Sequence, residues 1–281
     1  MTRRIATFRN APRLALLTLA TVILTTRPAP AANTSSGVNL YTIPQELALG
    51  RQLAAELEHQ SRIVADPVVT DYINRLGQNL AVQASAPFPL TVKMLQSDEM
   101  NAFTLPGGHI YVSSAMMKMA DNEAELASVI SHEIGHAAAR HATRQASKSK
   151  LARLGALPLG ILTGWAGLAA NQAASAAAPV AALGFSRAFE TEADLLGVGY
   201  LNAAGYDPNA SIDMFERIAS MEKKTPGTVA RLFLSHPPTG DRIAKTQAAI
   251  RKLKKNNEGD DYVLNTTEFE AVRSRLMAGA E

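Results

Sequence analysis

The 281-residue chain contains no cysteine. Disulfide scaffolds, thiolate zinc fingers, iron–sulfur centres, a cysteine nucleophile and an acyl anchor on an N-terminal cysteine are excluded together. Acidic residues are missing from positions 1–31, and charge of either sign is missing from 154–186. No internal repeat appears, and no break in composition marks a linker. What remains is a globular balance of 47% hydrophobic and 19% charged residues, which excludes a disordered tail protein and a polytopic membrane protein.

The acid-free start has the form of an export signal. Arg3, Arg4, Arg9 and Arg13 precede an uncharged apolar run at 14–26, shorter than the ~20 residues that a membrane span needs. Ala29 and Ala31 then stand at the −3 and −1 positions of a cleavage site. Residues 1–31 are therefore expected to be a secretory signal peptide cut near Ala31, the alternative being an uncleaved N-terminal anchor. The rest of a twin-arginine pattern does not follow Arg3-Arg4. Five arginines leave with this segment, so the formal charge of +3 becomes +3 − 5 = −2. The basic pI of 9.2 belongs to the signal, and the remainder offers no basic face to a nucleic acid. The expected location is the periplasm.

Beyond a polar stretch at 32–42, Leu47, Leu49, Leu53 and Leu57 recur at helical spacing up to about residue 64. Asp66-Pro67 opens a second helix carrying Val69, Tyr72, Ile73, Leu76 and Leu80. Residues 87–95 roughly alternate and predict a strand. Residues 101–112 predict two short strands around Pro106-Gly107-Gly108. Asn122 and Glu125 form a capping box for a long helix running to about residue 145. Further helices are predicted from Arg187 to about 203, from Asp207-Pro208 to about 223, and from Pro237-Pro238 to about 255. Residues 259–281 read as a short C-terminal extension with a strand and a final helix. The expected fold class is α+β, mostly helical, in a single domain over 32–281 with one small sheet.

The chemistry concentrates at His132-Glu133-Ile134-Gly135-His136, an H-E-x-x-H motif inside the capped helix. Residues four apart lie one above the other on a helix face, so both imidazoles can face one metal ion. Glu133 is turned by about 100° from His132. It lies beside the metal, where a carboxylate can accept a proton from water. Leu126, Ile130 and Ile134 give the helix a core face. Two histidines leave a catalytic zinc one protein ligand short. The metzincin continuation needs Gly at 139 and His at 142, and both are alanine. His141 falls off the metal face and reads as an exposed or structural histidine. A carboxylate on another helix would complete a His₂Glu site. Glu190-Thr-Glu-Ala-Asp194 supplies it. Glu190 and Asp194, four apart, share a face, with Glu192 on the other side. Glu190 is the expected ligand. Asp194 is the group expected to bond the far nitrogen of a ligand histidine and fix its tautomer.

Four ordered segments, NAFTLPGGHIYVSSAMM, HEIGHAAARHA, SRAFETEADLLGVGYL and LSHPPTGDRI, resemble the HtpX-like and CAAX-prenyl-protease-like zinc metalloendopeptidases, gluzincins of metallopeptidase family forty-eight. The similarity runs over roughly 43–253. It implies a zincin-type metalloprotease domain holding one Zn²⁺, with the edge strand of a small sheet lining the active-site cleft. It is nearest to soluble exported members that act in outer-membrane protein quality control. This chain lacks the tetratricopeptide repeats of some of those and the lipoprotein cysteine of others.

The resemblance also implies roles. Arg242 would stabilise the oxyanion of a tetrahedral intermediate. His236 would contact that oxyanion or approach zinc in a closed resting form. On the sequence alone, a turn histidine before Pro237-Pro238 is an equal reading. Asn101, Ala102, Gly107 and Gly108 would form the substrate-binding wall, where an extended peptide adds to the sheet edge, with His109 an ordinary strand side chain. The uncharged stretch 154–186 reads as an apolar helical cover over the active site that touches membrane lipid, with plain core and a membrane span as alternatives.

The resulting expectation is an exported zinc endopeptidase acting on misfolded or stalled envelope proteins. The outer-membrane assembly machinery is an implied partner, and nucleic acid is not. A chaperone-like client-binding or assembly factor with a gated zinc site is the rival reading.

Overall fold

The computed structural model describes residues 37–155, 185–224, 236, 239–256 and 261–279. The expected signal peptide at 1–31, most of the expected cover at 154–186 and the Pro237-Pro238 pair lie outside the described residues. The fold is mostly helical with one small mixed sheet.

Helix α1 (Ile43–Gln60) starts at a reciprocal capping box between Thr42 and Gln45. Helix α2 (Pro67–Ala81) starts at Asp66, whose carboxylate accepts the Val68 N–H, with proline at the first turn where no N–H is needed. Strand β1 (Thr91–Leu95) runs parallel to β3 (His109–Ser113), and β2 (Ala102–Leu105) pairs antiparallel with β3, giving the order β1-β3-β2. Two expectations are corrected here. Only 91–95 of the predicted 87–95 strand is paired. The 101–112 segment is an edge strand only over Ala102–Leu105, because His109–Ser113 returns through the middle of the sheet.

The connection Pro106–Gly108 puts Gly107 and Gly108 at φ 74° and 85°, the left-handed region that glycine adopts at least cost. A Cβ on Gly108 would stand 2.5 Å from the Pro89 carbonyl oxygen, and one on Gly107 3.2 Å from the Glu46 carbonyl oxygen. Packing against α1 and the chain before β1 thus accounts for both glycines.

A short α3 (Ser114–Met119) leads into α4 (Glu123–Ala138), which is buried on nearly all sides. Leu126, Ile130 and Ile134 are fully covered and meet Val69, Ile73 and Leu80 of α2 in the main core. Each such side chain contributes about 1.5–3 kcal/mol on burial. Asn122 accepts the Glu125 N–H at 3.0 Å, but the return half of the expected capping box is not made. The Glu125 carboxylate bonds the Asp121 N–H and Arg217 of a later helix instead. The Asp121 amide and the Arg217 guanidinium together hold the carboxylate one residue short of the capping-box position.

The helix expected to run on to residue 145 stops at Ala138. Arg140 adopts φ 55°, and α5 (His141–Gly155) starts in a new direction. Arg140 is held there by Glu46 (Nε to Oε2, 2.6 Å) and by the Tyr41 carbonyl (2.7 Å). These partners are about a hundred residues away in sequence, which explains why a run of good helix formers breaks without a local signal.

Helices α6 (Arg187–Ala203), α7 (Ala210–Lys224) and α8 (Gly240–Asn256) follow, α6 lying along α4. The terminal helix α9 (Thr267–Ala278) buries Phe269, Val272 and Leu276 in the main core. The strand expected before it amounts to a single bridge between Val263 and Tyr206. No helix among the described residues is long and apolar enough to cross a membrane.

Candidate metal centre

The site forms where α4 and α6 cross, and two glycines set how closely they cross. A Cβ on Gly135 would stand 2.8 Å from the Ala193 carbonyl oxygen, and one on Gly197 2.9 Å from the His132 backbone nitrogen. Both clashes are with backbone, so the helices would have to separate. Gly197→Ala is expected to cost about 1–3 kcal/mol of stability and to weaken metal binding by moving Glu190 away from His132 and His136. Thermal melts with and without zinc would check both effects.

That approach brings four donors together. Nitrogens of His132, His136 and His236 and the carboxylate of Glu190 lie within 4.8 Å of one another. His132 Nε2 is 3.0 Å from His136 Nε2, 3.3 Å from His236 Nδ1 and 3.6 Å from Glu190 Oε2. His136 Nε2 is 3.4 Å from Glu190 Oε1, and His236 Nδ1 is 3.1 Å from the same oxygen. Ligands about 2.0–2.1 Å from a tetrahedral zinc stand about 3.3 Å apart. The observed separations are the edges of such a tetrahedron, and nitrogen and carboxylate donors are those zinc takes. The residues present fit the ion.

Around the group lies a shell of buried charge. His132 Nδ1 is 2.9 Å from Asp194 Oδ1, an ion-pair contact lying off the line of a hydrogen bond. Burial works against a charged His132, but Asp194 and Glu190 outweigh it and raise its pKa to about 10. Burial pushes His136 well below the usual imidazole value, its positive neighbours adding to the effect against Glu190. Glu190 is held below the usual carboxylate range. Burial opposes this, and the surrounding histidines overcome it.

Arg242 is fully buried. It donates from Nε and Nη2 to the two oxygens of Asp194 at 2.7 Å each, and Nη1 lies 2.9 Å from Glu190 Oε2. Its fork engages the two carboxylates that flank the metal group, so in this arrangement it anchors them.

Glu133 sits beside the group. Its Oε2 accepts from the Thr104 hydroxyl at 2.8 Å, and its Oε1 is 3.4 Å from His236 Nε2. Thr104 is the one polar side chain in Ala102–Leu105, and that polar position in an apolar strand was the available clue to it. Ala102 is buried in the same strand. Asn101 lies just before it, with its N–H on the Ser113 hydroxyl. His109 begins β3, outside the four-donor group.

Of the two readings of His141, exposed or structural, the structure shows the second, since it is fully buried and outside the four-donor group. The helix break turns it under His136, and its second nitrogen meets Glu192, which helical spacing had set apart from the site. An apolar pocket adjoins the group, walled by Val129, Val198, Met214, Phe215 and Ile218 and also lined by Glu133 and His236.

That placement of donors on two helices, with a separate carboxylate next to the first histidine, is the one used by the zincin class of metallopeptidases. Comparison with known proteins narrows the class. The chain belongs to peptidase family M48, whose family model matches residues 67–250. It is 30% identical over 262 residues to the β-barrel assembly-enhancing protease of Yersinia pestis, covering 90% of this chain and 52% of that protein. Its Escherichia coli counterpart is 30% identical over 233 residues, covering 80% of this chain and 47% of the relative. The mitochondrial metalloendopeptidase OMA1 of Saccharomyces cerevisiae is 34% identical over 169 residues, 57% of this chain and 46% of that protein. The chain spans about half the length of these curated relatives.

Proposed function

We propose that this protein is a zinc-dependent endopeptidase of the bacterial envelope, in which His132, His136 and Glu190 hold the ion and Glu133 is the general base. The observation that carries the reading is the set of 3.0–3.6 Å separations among the donors, with the Glu133 carboxylate alongside. Zinc bound there supplies a Lewis acid for the scissile carbonyl and lowers the pKa of water.

The chain's own residues do the rest. An extended substrate adds to the outer edge of β2, the last strand of the sheet among the described residues, from Asn101 and Ala102 along to the turn at Gly107 and Gly108, through backbone hydrogen bonds that tolerate many sequences. The apolar pocket takes a side chain next to the scissile bond. Thr104 orients Glu133, which removes the proton from the attacking water and delivers it to the leaving amine as the C–N bond breaks. Asp194 orients His132, and Arg242 holds Asp194 and Glu190 in place.

His236 occupies the fourth corner of the donor set and also faces Glu133, so we read this arrangement as the resting form. Activity then requires His236 to leave that corner. His236→Ala is expected to raise proteolysis, including self-cleavage, seen on gels of the purified protein over time. A fall of about 10²–10³ in kcat would instead make it an oxyanion donor.

The relatives named as β-barrel assembly-enhancing proteases support misfolded or stalled outer-membrane proteins as substrates and the assembly machinery as a partner. The signal-like 1–31 segment supports a periplasmic location. The purified protein should cleave an unfolded protein such as casein, lose that activity to a chelator and regain it with zinc. Binding of casein with no zinc-dependent cleavage would favour the chaperone-like alternative.

A further inference from the structure

Both histidines of the motif are held at the nitrogen that faces away from the metal group, but by different devices. His132 Nδ1 meets the carboxylate of Asp194 directly. Next to His136 Nδ1, at 3.0 Å, lies Nδ1 of another imidazole, His141. Beyond that ring, 3.1 Å from its Nε2, lies Glu192 Oε2. We propose that His141 and Glu192 form a two-step relay that fixes the tautomer and ring orientation of His136. They are thus positioning residues of the metal centre. The inference rests on the reading of His132, His136 and Glu190 as zinc ligands.

The proton positions follow from the chemistry of the ring. A neutral imidazole carries one N–H and one lone pair. If His136 gives its Nε2 lone pair to a metal, its N–H sits on Nδ1 and has to be donated. His141 Nδ1 is the acceptor, so the N–H of His141 sits on Nε2 and is donated to the Glu192 carboxylate. Every donor meets one acceptor. The opposite tautomer of His141 would set two N–H groups against each other on one side and two lone-pair acceptors on the other.

The surroundings hold this pattern in place. Arg144 Nη1 lies 3.3 Å from the same Glu192 oxygen and 3.2 Å from the Ala139 carbonyl at the end of α4. Phe185 stacks on His136 with ring centroids 4.2 Å apart, and Phe189 stacks on His141 at 4.4 Å. The stacks fix the plane of each ring, and the nitrogen contacts fix which edge of the ring faces each partner. The fold also explains why the relay exists. In an unbroken helix His141 would sit about 140° round from His136. The left-handed Arg140 redirects the chain so that the first residue of α5 lies beneath the ligand ring.

The test compares zinc affinity, by competition with a chromophoric chelator, among the wild-type protein and the His141→Phe, Glu192→Leu and Glu192→Gln variants. Phenylalanine keeps the volume and the stack on Phe189 but has no ring nitrogen. His141→Phe and Glu192→Leu are expected to bind zinc about 10–100-fold more weakly. Glu192→Gln, whose amide oxygen still accepts the bond, is expected to bind near the wild-type level. Nitrogen-15 NMR of the zinc-loaded wild type is expected to show His141 protonated on Nε2, a readout that stands even if a variant fails to fold. Equal affinities in all four proteins, or His141 protonated on Nδ1, would overturn the relay while leaving the zinc site standing. A wild-type protein that binds no zinc would overturn the reading of the centre itself.

Discussion

Glu133→Gln is expected to abolish peptide-bond cleavage while leaving the fold and the zinc content as they are. Glutamine has the shape of glutamate, and its amide oxygen can still accept the Thr104 hydroxyl that now bonds Glu133 Oε2 at 2.8 Å. The four-donor group does not include Glu133, so no ligand is lost. What disappears is the only property that the amide cannot reproduce, the capacity to take a proton from water and pass it to the leaving amine. Loss of a general base typically costs about 10²–10⁴ in rate. The check is casein or quenched-peptide turnover alongside metal analysis of the same preparation. Wild-type zinc content with activity within about tenfold of wild type would rule out the general-base role. The same variant, still able to bind, is the trap with which envelope substrates could be identified.

Glu190→Ala is expected to do the reverse, removing the metal. Glu190 is the sole carboxylate in the four-donor group, and it is buried among three imidazoles and a guanidinium. Those positive and polar neighbours hold its pKa down against burial, so it is charged throughout the working pH range. Its loss leaves Arg242 Nη1 without the acceptor at 2.9 Å and the histidines without their counter-charge. An orphaned buried donor costs about 1–3 kcal/mol, in addition to the ligand itself. Zinc content should fall far below that of the wild type, and the melting temperature should fall with it. Glu192→Ala should show a smaller loss of affinity with the metal still taken up at high zinc. If Glu190→Ala kept full zinc content and Glu192→Ala lost it, the ligand assignment would be exchanged.

The parts of the site that were legible in the sequence share one property, namely that their geometry is set by a single helix. His132 and His136 must share a face of α4 because they are four apart, and Glu190 and Asp194 must share a face of α6 for the same reason. The start of α4 at Asn122 was visible because a cap needs only its own first turn. Where two elements had to be combined, spacing misled. Glu192 looked remote because it is two residues from Glu190, yet it reaches His141, whose own position depends on the break at Arg140. Nothing local to Arg242 shows that its fork engages Asp194 and Glu190 on another helix.

The sequence by itself determined the class of chemistry: which side chains can bind zinc, which carboxylate stands beside them, and that the frame is helical. Helical periodicity and the donor properties of single residues suffice for that. Only the tertiary structure decided how those groups are held. The α4–α6 distance rests on glycines that meet backbone from another helix. The turn after Ala138 rests on Glu46 and Tyr41, and the orientation of Glu133 rests on a threonine in a sheet edge. Each is a contact between residues distant in the chain, chosen by packing and charge once the core has closed, and no local pattern carries it.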